Sequence, residues 1–546
     1  MYFLTLFLLP NVYLYLQTQQ INVFLLSLMI IIWLFAIFKN NKYLIIFSPF
    51  FLLLPIVLFY INFYSAMLDE QVLAIILETN IQEAKSFIGS YIYILFFCIF
   101  VLIYMSSVGY KKSFVWSHYS RWIIILLFTS YFFINFYISE KIADKIDENF
   151  DNNHFLVEEK NDFIQDLKKT YPLGLLVSGY DLYHEQKKIS DEFNNKINFK
   201  FNAYSKNNKK QTIVLVIGES SRRENWQLNG YYRKTNPFLI KKGNLINLEN
   251  MISVSNATRS SIPIMLTRKD AQKVMDYNFK EKSIISAFKE AGFSTYWLST
   301  QQQFGAFDTS TSVYAREADQ VFFLNKTSYS NKGDTDGVII PKFKEIINNN
   351  ENKKFIVIHM LGSHYDYSHR YPSEYDIFKP SLSSLKNYNL QDKRNKIELI
   401  NSYDNSILYT DYVLSQFIRT LENEKTKESF LFFSSDHGED LFDGECHKSG
   451  HGNQTIYNFN IASFIWYSNV FKENNLNKAK ELEMNRLLRI NQTSIFPTLI
   501  DAADIDIVNY SVERSVLKKI SIYPRYIVGG LDYDKANYEK KCKEIK

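Results

Sequence analysis

The chain has 546 residues, which is too long for one compact domain. Its formal net charge is +5 and 22% of its residues are charged, so the composition gives no indication of nucleic-acid binding. Charged residues are distributed unevenly along the chain. No charged side chain occurs from Met1 to Phe38, whereas Lys, Asp, Glu and Asn are frequent after about residue 140. We therefore predict a first part in lipid and a second part in water.

Five apolar stretches predict transmembrane helices at residues 2–16, 22–38, 43–64, 87–108 and 121–138. The first stretch lacks the basic start and the small-residue cleavage site of a signal peptide. Lys39 and Lys42 follow the second stretch and Lys111 and Lys112 follow the fourth, and lysine-bearing loops stay in the cytoplasm. An odd number of spans then places the rest of the chain outside, in the periplasm if the membrane is a bacterial inner membrane.

These features divide the chain into three predicted parts. Residues 1–138 form a five-helix transmembrane domain, residues 139–210 a connector and residues 211–546 a soluble domain. The connector segment 171–183 mixes aromatic and aliphatic residues in a way that suits a membrane interface. An ordinary docking segment of the soluble domain fits the same pattern equally well.

The three cysteines are Cys98, Cys446 and Cys542. No CxxC pair occurs, which excludes a cysteine-based zinc site. A disulfide framework is not expected with so few cysteines, but a bond between Cys446 and Cys542 stays open.

Short apolar runs at 211–217, 293–299, 354–360 and 429–434 predict buried strands, and helical patterns lie between them. This alternation is typical of an α/β domain with a mainly parallel central sheet. In such sheets the ligand site lies beyond the carboxyl ends of the strands.

Three of these strands run directly into residues that bind metals. Glu219 follows the first, His364 follows the third, and Asp436 and His437 follow the fourth. Each group alone is typical of a capped loop or a solvated turn, but three groups at one edge of a sheet favour a metal site. Carboxylate and imidazole ligands without thiolate suit a catalytic zinc ion, whereas calcium or magnesium would require more oxygen ligands.

A transfer or hydrolysis site also needs an attacking group. Thr258 lies where a predicted strand at 248–254 gives way to a predicted helix, and the free N–H groups of a helix start favour a phosphate. A bound zinc ion would lower the pKa of the threonine hydroxyl. Taken alone, the position favours an N-cap role for Thr258 or Ser255, and Ser260 and Ser261 are rival nucleophiles.

The segment GESSRRENWQLNGYYRKTNP at 218–237 resembles the GE(T/S)xR…NGYxRxTxP signature of bacterial phosphoethanolamine transferases, a group that includes the polymyxin-resistance enzymes. The resemblance continues, in the same order, through ATRSSIP, HMLGSHYDYSHRYP, YDNSILYTDY, SDHGED and a final HG, and covers residues 211–470. It implies a soluble domain with an alkaline-phosphatase/sulfatase-like fold behind a five-span membrane domain.

The resemblance also implies roles for single residues. It makes Glu219, Thr258, Asp436 and His437 the ligands of Zn²⁺, with Thr258 also the nucleophile. His364 and His451 match histidines that contact the substrate phosphate and exchange protons. The nearby His447 is an alternative to His451, and Gly452 after His451 favours the latter.

The donor implied by the resemblance is phosphatidylethanolamine, and the segment LETNIQEA resembles the family's donor-lipid region through Glu78, Asn80 and Glu83. The segment WLSTQQQFGAFDT at 297–309 is more similar to members that act on core sugars or glucans than to lipid A-modifying members. We therefore expect a lipooligosaccharide core sugar as acceptor, with lipid A phosphate close behind, and Gln302 as an acceptor contact.

Two other functions fit parts of the sequence. A phosphoglycerol transferase would use the same metal-bound threonine, and a membrane sensor or scaffold would carry a degenerate site. A monomer is expected, and the number of zinc ions stays open.

Overall fold

The computed structural model describes residues 2–64, 117–149, 162–195, 198–274, 280–301, 310–325, 334–385 and 390–545, with a few isolated residues between 67 and 111 and at 388. The chain separates into two compact units with a boundary near Lys187. Most of the fourth predicted span lies outside the described residues. The domain boundaries proposed from the sequence remain predictions.

The first unit is helical. Its helices are α1 (Tyr2–Thr18), α2 (Ile21–Ile37), α3 (Ser48–Tyr64), α4 (His118–Asn149), α5 (Asp162–Lys168) and α6 (Leu173–Asn195), and a 3-10 stretch, Asn41–Phe47, leads into α3.

Two stretches among the described residues, Lys42–Asn62 and His118–Tyr137, are long and apolar enough to cross a membrane. The apolar helices Phe3–Thr18 and Ile21–Ile37 are shorter. A helix of 17 residues such as α2 is about 26 Å long, slightly less than a hydrocarbon core of about 30 Å. The predicted count of five spans is therefore not confirmed.

A few polar side chains join the apolar helices of this unit. The amide of Asn11 donates to the carbonyl oxygens of Phe7 and Tyr171, and the backbone N–H of Tyr171 donates back to Asn11 Oδ1. Trp33 Nε1 donates to Thr129 Oγ1 at 3.1 Å. Since such groups are costly to bury without partners, these bonds fix the contacts of α1 and α2 with the segments that they touch.

The second unit contains the strands of the chain. They are β1 (Ala203–Ser205), β2 (Gln211–Gly218), β3 (Leu245–Asn247), β4 (Met251–Ile252), β5 (Ser294–Ser299), β6 (Gln320–Phe323), β7 (Lys353–His359), β8 (Glu428–Ser435), β9 (Asp440–Leu441), β10 (Ser449–Gly450), β11 (Ser463–Tyr467), β12 (Ile490–Asn491), β13 (Ile505–Ile507), β14 (Tyr526–Ile527) and β15 (Leu531–Asp532). The four strands predicted from the sequence are confirmed as β2, β5, β7 and β8. The strand expected at 248–254 is reduced to the two residues of β4.

The central sheet has seven strands in the order β3-β11-β8-β2-β7-β5-β6. Strand β11 runs antiparallel to both β3 and β8, whereas β2, β5, β6, β7 and β8 pair in parallel. The sheet is therefore mixed, and the prediction of a mainly parallel sheet needs this correction. The connection from β8 to β11 contains only β9, β10 and a four-residue helix, Ile456–Phe459. Because a parallel return usually needs a long crossover helix, which this connection lacks, β11 runs antiparallel to β8.

The helices of this unit are α7 (Thr258–Leu266), α8 (Ile284–Glu290), α9 (Ser310–Ala315), α10 (Ile339–Ile347), α11 (Lys396–Glu422), α12 (Ile456–Phe459), α13 (Asn469–Asn474), α14 (Leu476–Asn485) and α15 (Ile495–Ala502). They cover both faces of the sheet. Because side chains alternate along a strand, Ile213, Leu215 and Ile217 of β2 enter one core, while Val214 and Val216 enter the other. This burial on two sides explains the continuous apolar runs in the sequence.

Candidate metal centre and active site

Two adjacent strands bring the predicted ligands Glu219, Asp436 and His437 together. Strands β2 and β8 pair in parallel with Gly218 opposite Ser435, so the residues that follow them emerge side by side. His437 Nε2 lies 3.4 Å from Glu219 Oε1 and 3.3 Å from Asp436 Oδ2. All three side chains are buried. Their ligand atoms lie within 4.8 Å of one another, a spacing that could hold a metal ion.

Thr258 completes this cluster. It is the first residue of α7, and its hydroxyl Oγ1 lies 3.3 Å from Glu219 Oε2 and 3.2 Å from His437 Nε2. The N-cap position belongs to Ala257, and Ser255 Oγ is hydrogen-bonded to Ser260 Oγ. The structure therefore places Thr258 in the cluster rather than in the N-cap role that its position alone favours.

Hydrogen bonds orient the cluster toward a cation. His437 Nδ1 lies 2.9 Å from the carbonyl oxygen of Gly438, which makes Nδ1 a donor and leaves Nε2 facing the carboxylates. Asp436 Oδ1 accepts from the backbone N–H groups of Ser220 and His437. Among the described residues, the buried Asp436 Oδ2 has no hydrogen-bond partner. Two carboxylates, one imidazole and one hydroxyl, with an oxygen left for a metal, form a donor set that fits zinc.

The electrostatics agree with that fit. Burial, followed by repulsion from Glu219, raises the pKa of Asp436 to about 7. Burial opposes the charging of His437, but the carboxylates of Asp436 and Glu219 raise its pKa to about 10. Burial also opposes the ionisation of Glu219, yet the ring of His437 holds the pKa of Glu219 well below its usual range. The two buried carboxylates are therefore stabilised by positive charge placed between them, and a divalent cation supplies such charge.

Two further histidines border the cluster. The His451 ring centroid lies 4.5 Å from that of His437 and 6.2 Å from that of His364. His447, the alternative to His451, is exposed to solvent. The structure therefore brings His364 and His451 together at the cluster.

Glu439 is a site residue that the sequence analysis did not single out. Its buried Oε2 lies 3.3 Å from His451 Nδ1, and its Oε1 accepts from the hydroxyl of Tyr367 at 2.8 Å. This carboxylate places negative charge beside the ring of His451. Its position two residues after the predicted ligand His437 could have indicated that Glu439 belongs to the site.

With this geometry established, a family profile described as Sulfatase matches residues 211–505 of the chain. The chain belongs to the sulfatase family. The match spans β2, which leads to Glu219, and β8, which leads to Asp436 and His437.

Relatives of this sulfatase-family chain include the phosphoethanolamine transferase EptC of Escherichia coli, with 28% identity over 318 residues, 57% of this chain and 54% of that protein. The chain thus spans about half the length of this curated relative. The crystal structure of the EptC periplasmic domain from E. coli, in complex with Zn, has a TM-score of 0.55 and 26% identity and covers 63% of this chain and 98% of that domain. A second similar structure is the integral membrane protein lipooligosaccharide phosphoethanolamine transferase A of Neisseria meningitidis, with a TM-score of 0.70 and 22% identity. The match covers 92% of this chain and 91% of that protein, and it shows the fold.

Three residues of the sulfatase-family domain support the cluster and were missed in the sequence. Gln301 Nε2 donates to Glu219 Oε2 at 3.2 Å and to the carbonyl oxygen of Met360. Gln492 Nε2 donates to the carbonyl oxygen of Asp436 at 2.7 Å. Gly362 has a φ of +52°, and a Cβ there would lie 2.8 Å from the carbonyl oxygen of Glu219. No sequence motif distinguishes these two glutamines from surface glutamines.

Some predicted site residues lie outside the described part of the chain. These are the expected acceptor contact Gln302 and the expected donor-lipid contacts Glu78, Asn80 and Glu83. Their roles remain predictions.

A disulfide joins Cys446 to Cys542, so the pair that the sequence left open is formed in the sulfatase-family domain. It links the loop that leads to His451 to the C-terminal segment. The backbone N–H of Ile545 donates to the carbonyl oxygen of Gln454 nearby. The C-terminal segment therefore holds the chain on both sides of His451.

Proposed function

We propose that this chain transfers phosphoethanolamine from phosphatidylethanolamine to lipooligosaccharide or lipopolysaccharide through a phosphorylated Thr258, with release of diacylglycerol. The observation that carries the proposal is the position of Thr258 Oγ1, 3.3 Å from Glu219 and 3.2 Å from His437 at the start of α7. The names of the relatives, phosphoethanolamine transferases EptC and EptA, support the transferred group.

Zn²⁺ is the proposed cofactor, held by Glu219, Asp436, His437 and Thr258. When bound, it lowers the pKa of the threonine hydroxyl and neutralises charge on phosphoryl oxygens. The Zn complex of the E. coli EptC domain supports the choice of metal. The donor set of carboxylate, imidazole and hydroxyl supports it independently.

In the first half-reaction, Thr258 Oγ, whose proton has passed to solvent, forms a bond to the phosphorus of the donor while the bond from phosphorus to the diacylglycerol oxygen breaks. The leaving oxygen takes a proton, which we assign to His364 or His451. In the second half-reaction, an acceptor hydroxyl or phosphate oxygen attacks the phosphorus, and the bond to Thr258 breaks, which returns Thr258 Oγ to its deprotonated form. The same histidines then act in the reverse sense, accepting the proton of the acceptor.

The setting that we propose is the bacterial inner membrane, with several spans and the sulfatase-family domain in the periplasm. The fold of the N. meningitidis integral membrane protein supports this placement. A site held at the membrane surface meets a bilayer lipid at high effective concentration. We propose a monomer with no nucleic-acid partner, and a core sugar, ahead of lipid A phosphate, as acceptor.

The test supplies phosphatidylethanolamine and phosphatidylglycerol, each labelled in its headgroup, to the purified full-length protein with zinc. Peptide mass spectrometry then locates the label. We expect phosphoethanolamine on Thr258 and none in Thr258→Ala. The control is Ser261→Ala, since the Ser261 hydroxyl is bonded to the carbonyl oxygen of Ser255 and this variant keeps the label on Thr258.

Label from phosphatidylglycerol alone would replace the proposal with a phosphoglycerol transferase. No label from either lipid, together with no bound zinc, would favour a sensor or scaffold. Mass spectrometry of lipooligosaccharide from cells with and without the gene then identifies the acceptor moiety.

A further inference from the structure

Two surface cavities of the sulfatase-family domain share Arg223. We call the second one, of about 320 Å³, the Arg223 cleft, and its lining includes Arg223, Arg489, Arg525, Tyr533, Asp534 and Tyr538. The adjoining cavity, of about 400 Å³, is lined by Glu224, Tyr231 and Tyr232 in addition to Arg223. None of these residues belongs to the metal cluster.

The floor of the Arg223 cleft is held rigidly. The guanidinium of Arg525 donates two hydrogen bonds to Asp534, at 2.8 and 2.5 Å, and a third to the carbonyl oxygen of Asn250 at 2.7 Å. The hydroxyl of Tyr533 donates to Asn460 Oδ1 at 2.8 Å. Because Arg525 and Asp534 neutralise each other, the floor is polar and ordered without a net charge.

The rim carries positive charge beyond that pair. The side chain of Arg489 is 69% exposed, and its Nη1 lies 3.6 Å from Asp534, which already accepts both bonds of Arg525. The guanidinium of Arg223 donates to Asn250 Oδ1 at 3.5 Å, the limit for a hydrogen bond. The lining holds three arginines and one aspartate, and the carboxylate of Glu224 beside the cleft accepts from Asn460 Nδ2 at 2.7 Å. Three guanidinium groups against two carboxylates leave an excess of donors. Such donors suit a phosphate or a carboxylate.

The remaining lining is suited to a sugar ring. Tyr538 is 43% exposed and lies beside Tyr533, with ring centroids 6.2 Å apart. Asn250 and Asn460 line the cleft as well, but their side-chain amides are engaged within the protein, Asn250 Nδ2 with the carbonyl oxygen of Leu487 and Asn460 Nδ2 with Glu224. An aromatic face and arginines in a cavity of this size together fit a small ring that bears an acidic group.

The cleft adjoins three segments that build the metal cluster. Arg223 lies four residues after Glu219, which limits their Cα separation to about 14 Å. Ile252, also in the lining, lies six residues before Thr258, a limit of about 21 Å. Arg489 is three residues before Gln492, whose side chain is bonded to the backbone of Asp436. These limits place the cleft within the length of a few sugar units of the metal cluster.

We propose that the Arg223 cleft binds an anionic sugar of the acceptor, with Arg223 and Arg489 on the acidic group and Tyr538 against the ring. The identification of that sugar as part of the acceptor rests on the proposed function. The binding itself does not, because it follows from the lining of the cleft.

The test is calorimetric titration of the full-length, zinc-loaded protein in detergent with glucose 6-phosphate, glucuronate, glucose and inorganic phosphate. We expect one or both anionic sugars to bind, at least about tenfold more tightly than glucose or phosphate, and Arg489→Gln to weaken that binding about tenfold. Tyr538→Ala should weaken it as well. The matched control is Arg486→Gln, an exposed arginine three residues away that lines neither cavity and whose loss leaves the affinity unchanged.

Binding of only one anionic sugar supports the proposal and identifies the acidic group. Equal affinities of Arg489→Gln and the unaltered protein, equal binding of inorganic phosphate, or no binding of either anionic sugar at millimolar concentration would overturn it. Labelling of Thr258 by phosphatidylethanolamine in the same preparations reports on the proposed function separately. If the label is absent while binding depends on Arg489, the proposed function fails and the cleft remains a sugar site.

Discussion

Replacing Gly438 by alanine is the sharpest perturbation that the metal cluster offers, because Gly438 lies between His437 and Glu439. A Cβ at this position would lie 2.1 Å from the carbonyl oxygen of Tyr457 and 3.0 Å from that of Asn460. Ordinary contacts of a Cβ begin at 3.4 Å, so the backbone on one side must move by about 1 Å. Since both partners are backbone atoms, no side-chain rotation relieves the clash.

The cost follows from the bonds that this movement breaks. Gly438 N–H donates to Asn458 at 2.7 Å, and Glu439 N–H donates to Tyr457 at 3.0 Å. Overpacking costs about 1–3 kcal/mol and each lost hydrogen bond about 1 kcal/mol. We therefore expect Gly438→Ala to lower the free energy of unfolding by about 3–5 kcal/mol and to reduce the zinc content by displacing His437.

The assay is urea denaturation and metal analysis of the domain from residue 198 onward, since periplasmic domains of relatives have been crystallised separately. The control is Gly243→Ala, because nothing lies within 4 Å of a Cβ there. We expect that control to change the unfolding free energy by less than about 0.5 kcal/mol. Equal stability and equal zinc content of Gly438→Ala and the unaltered domain would refute the packing argument.

Three further predictions concern separate parts of the domain. Thr258→Ala should keep the fold and most of the zinc while abolishing transfer to lipooligosaccharide in cells, and continued transfer would reject Thr258 as nucleophile. The double variant Cys446→Ser, Cys542→Ser removes a disulfide that joins residues 96 positions apart. Urea denaturation should show a free energy of unfolding lower by about 2–4 kcal/mol, and by no more than about 4.7 kcal/mol, the loop-entropy value for a loop of this length. Phe288→Ala removes a buried ring stacked on Phe355 at 3.9 Å and should cost about 3–5 kcal/mol, and a thermal shift no larger than that of Gly243→Ala would contradict this.

The parts of the fold that could be predicted are those that local sequence determines. The apolar run at 211–217 became β2 because burial on both faces requires apolar side chains at every position. Glu219, Asp436 and His437 were found because they directly follow strands that pair in parallel. The apolar runs and the residues that directly follow them were enough to predict these positions.

Other features depend on contacts between distant residues, which one sequence does not reveal. The five residues of β11 carry no signal of their direction, so the mixed character of the sheet was missed. The contact of Glu439 with His451 and the bond from Gln301 to Glu219 join separate loops. The closure of the Cys446–Cys542 bond depends likewise on where the C-terminal segment packs.

Anomalous diffraction at the zinc edge can locate a zinc ion held against Thr258 Oγ1. The measurement uses crystals of the domain grown with zinc. We expect a peak about 2.0–2.2 Å from ligand atoms of Glu219, Asp436, His437 and Thr258. A peak elsewhere with none between these side chains, or no zinc peak at all, would contradict it.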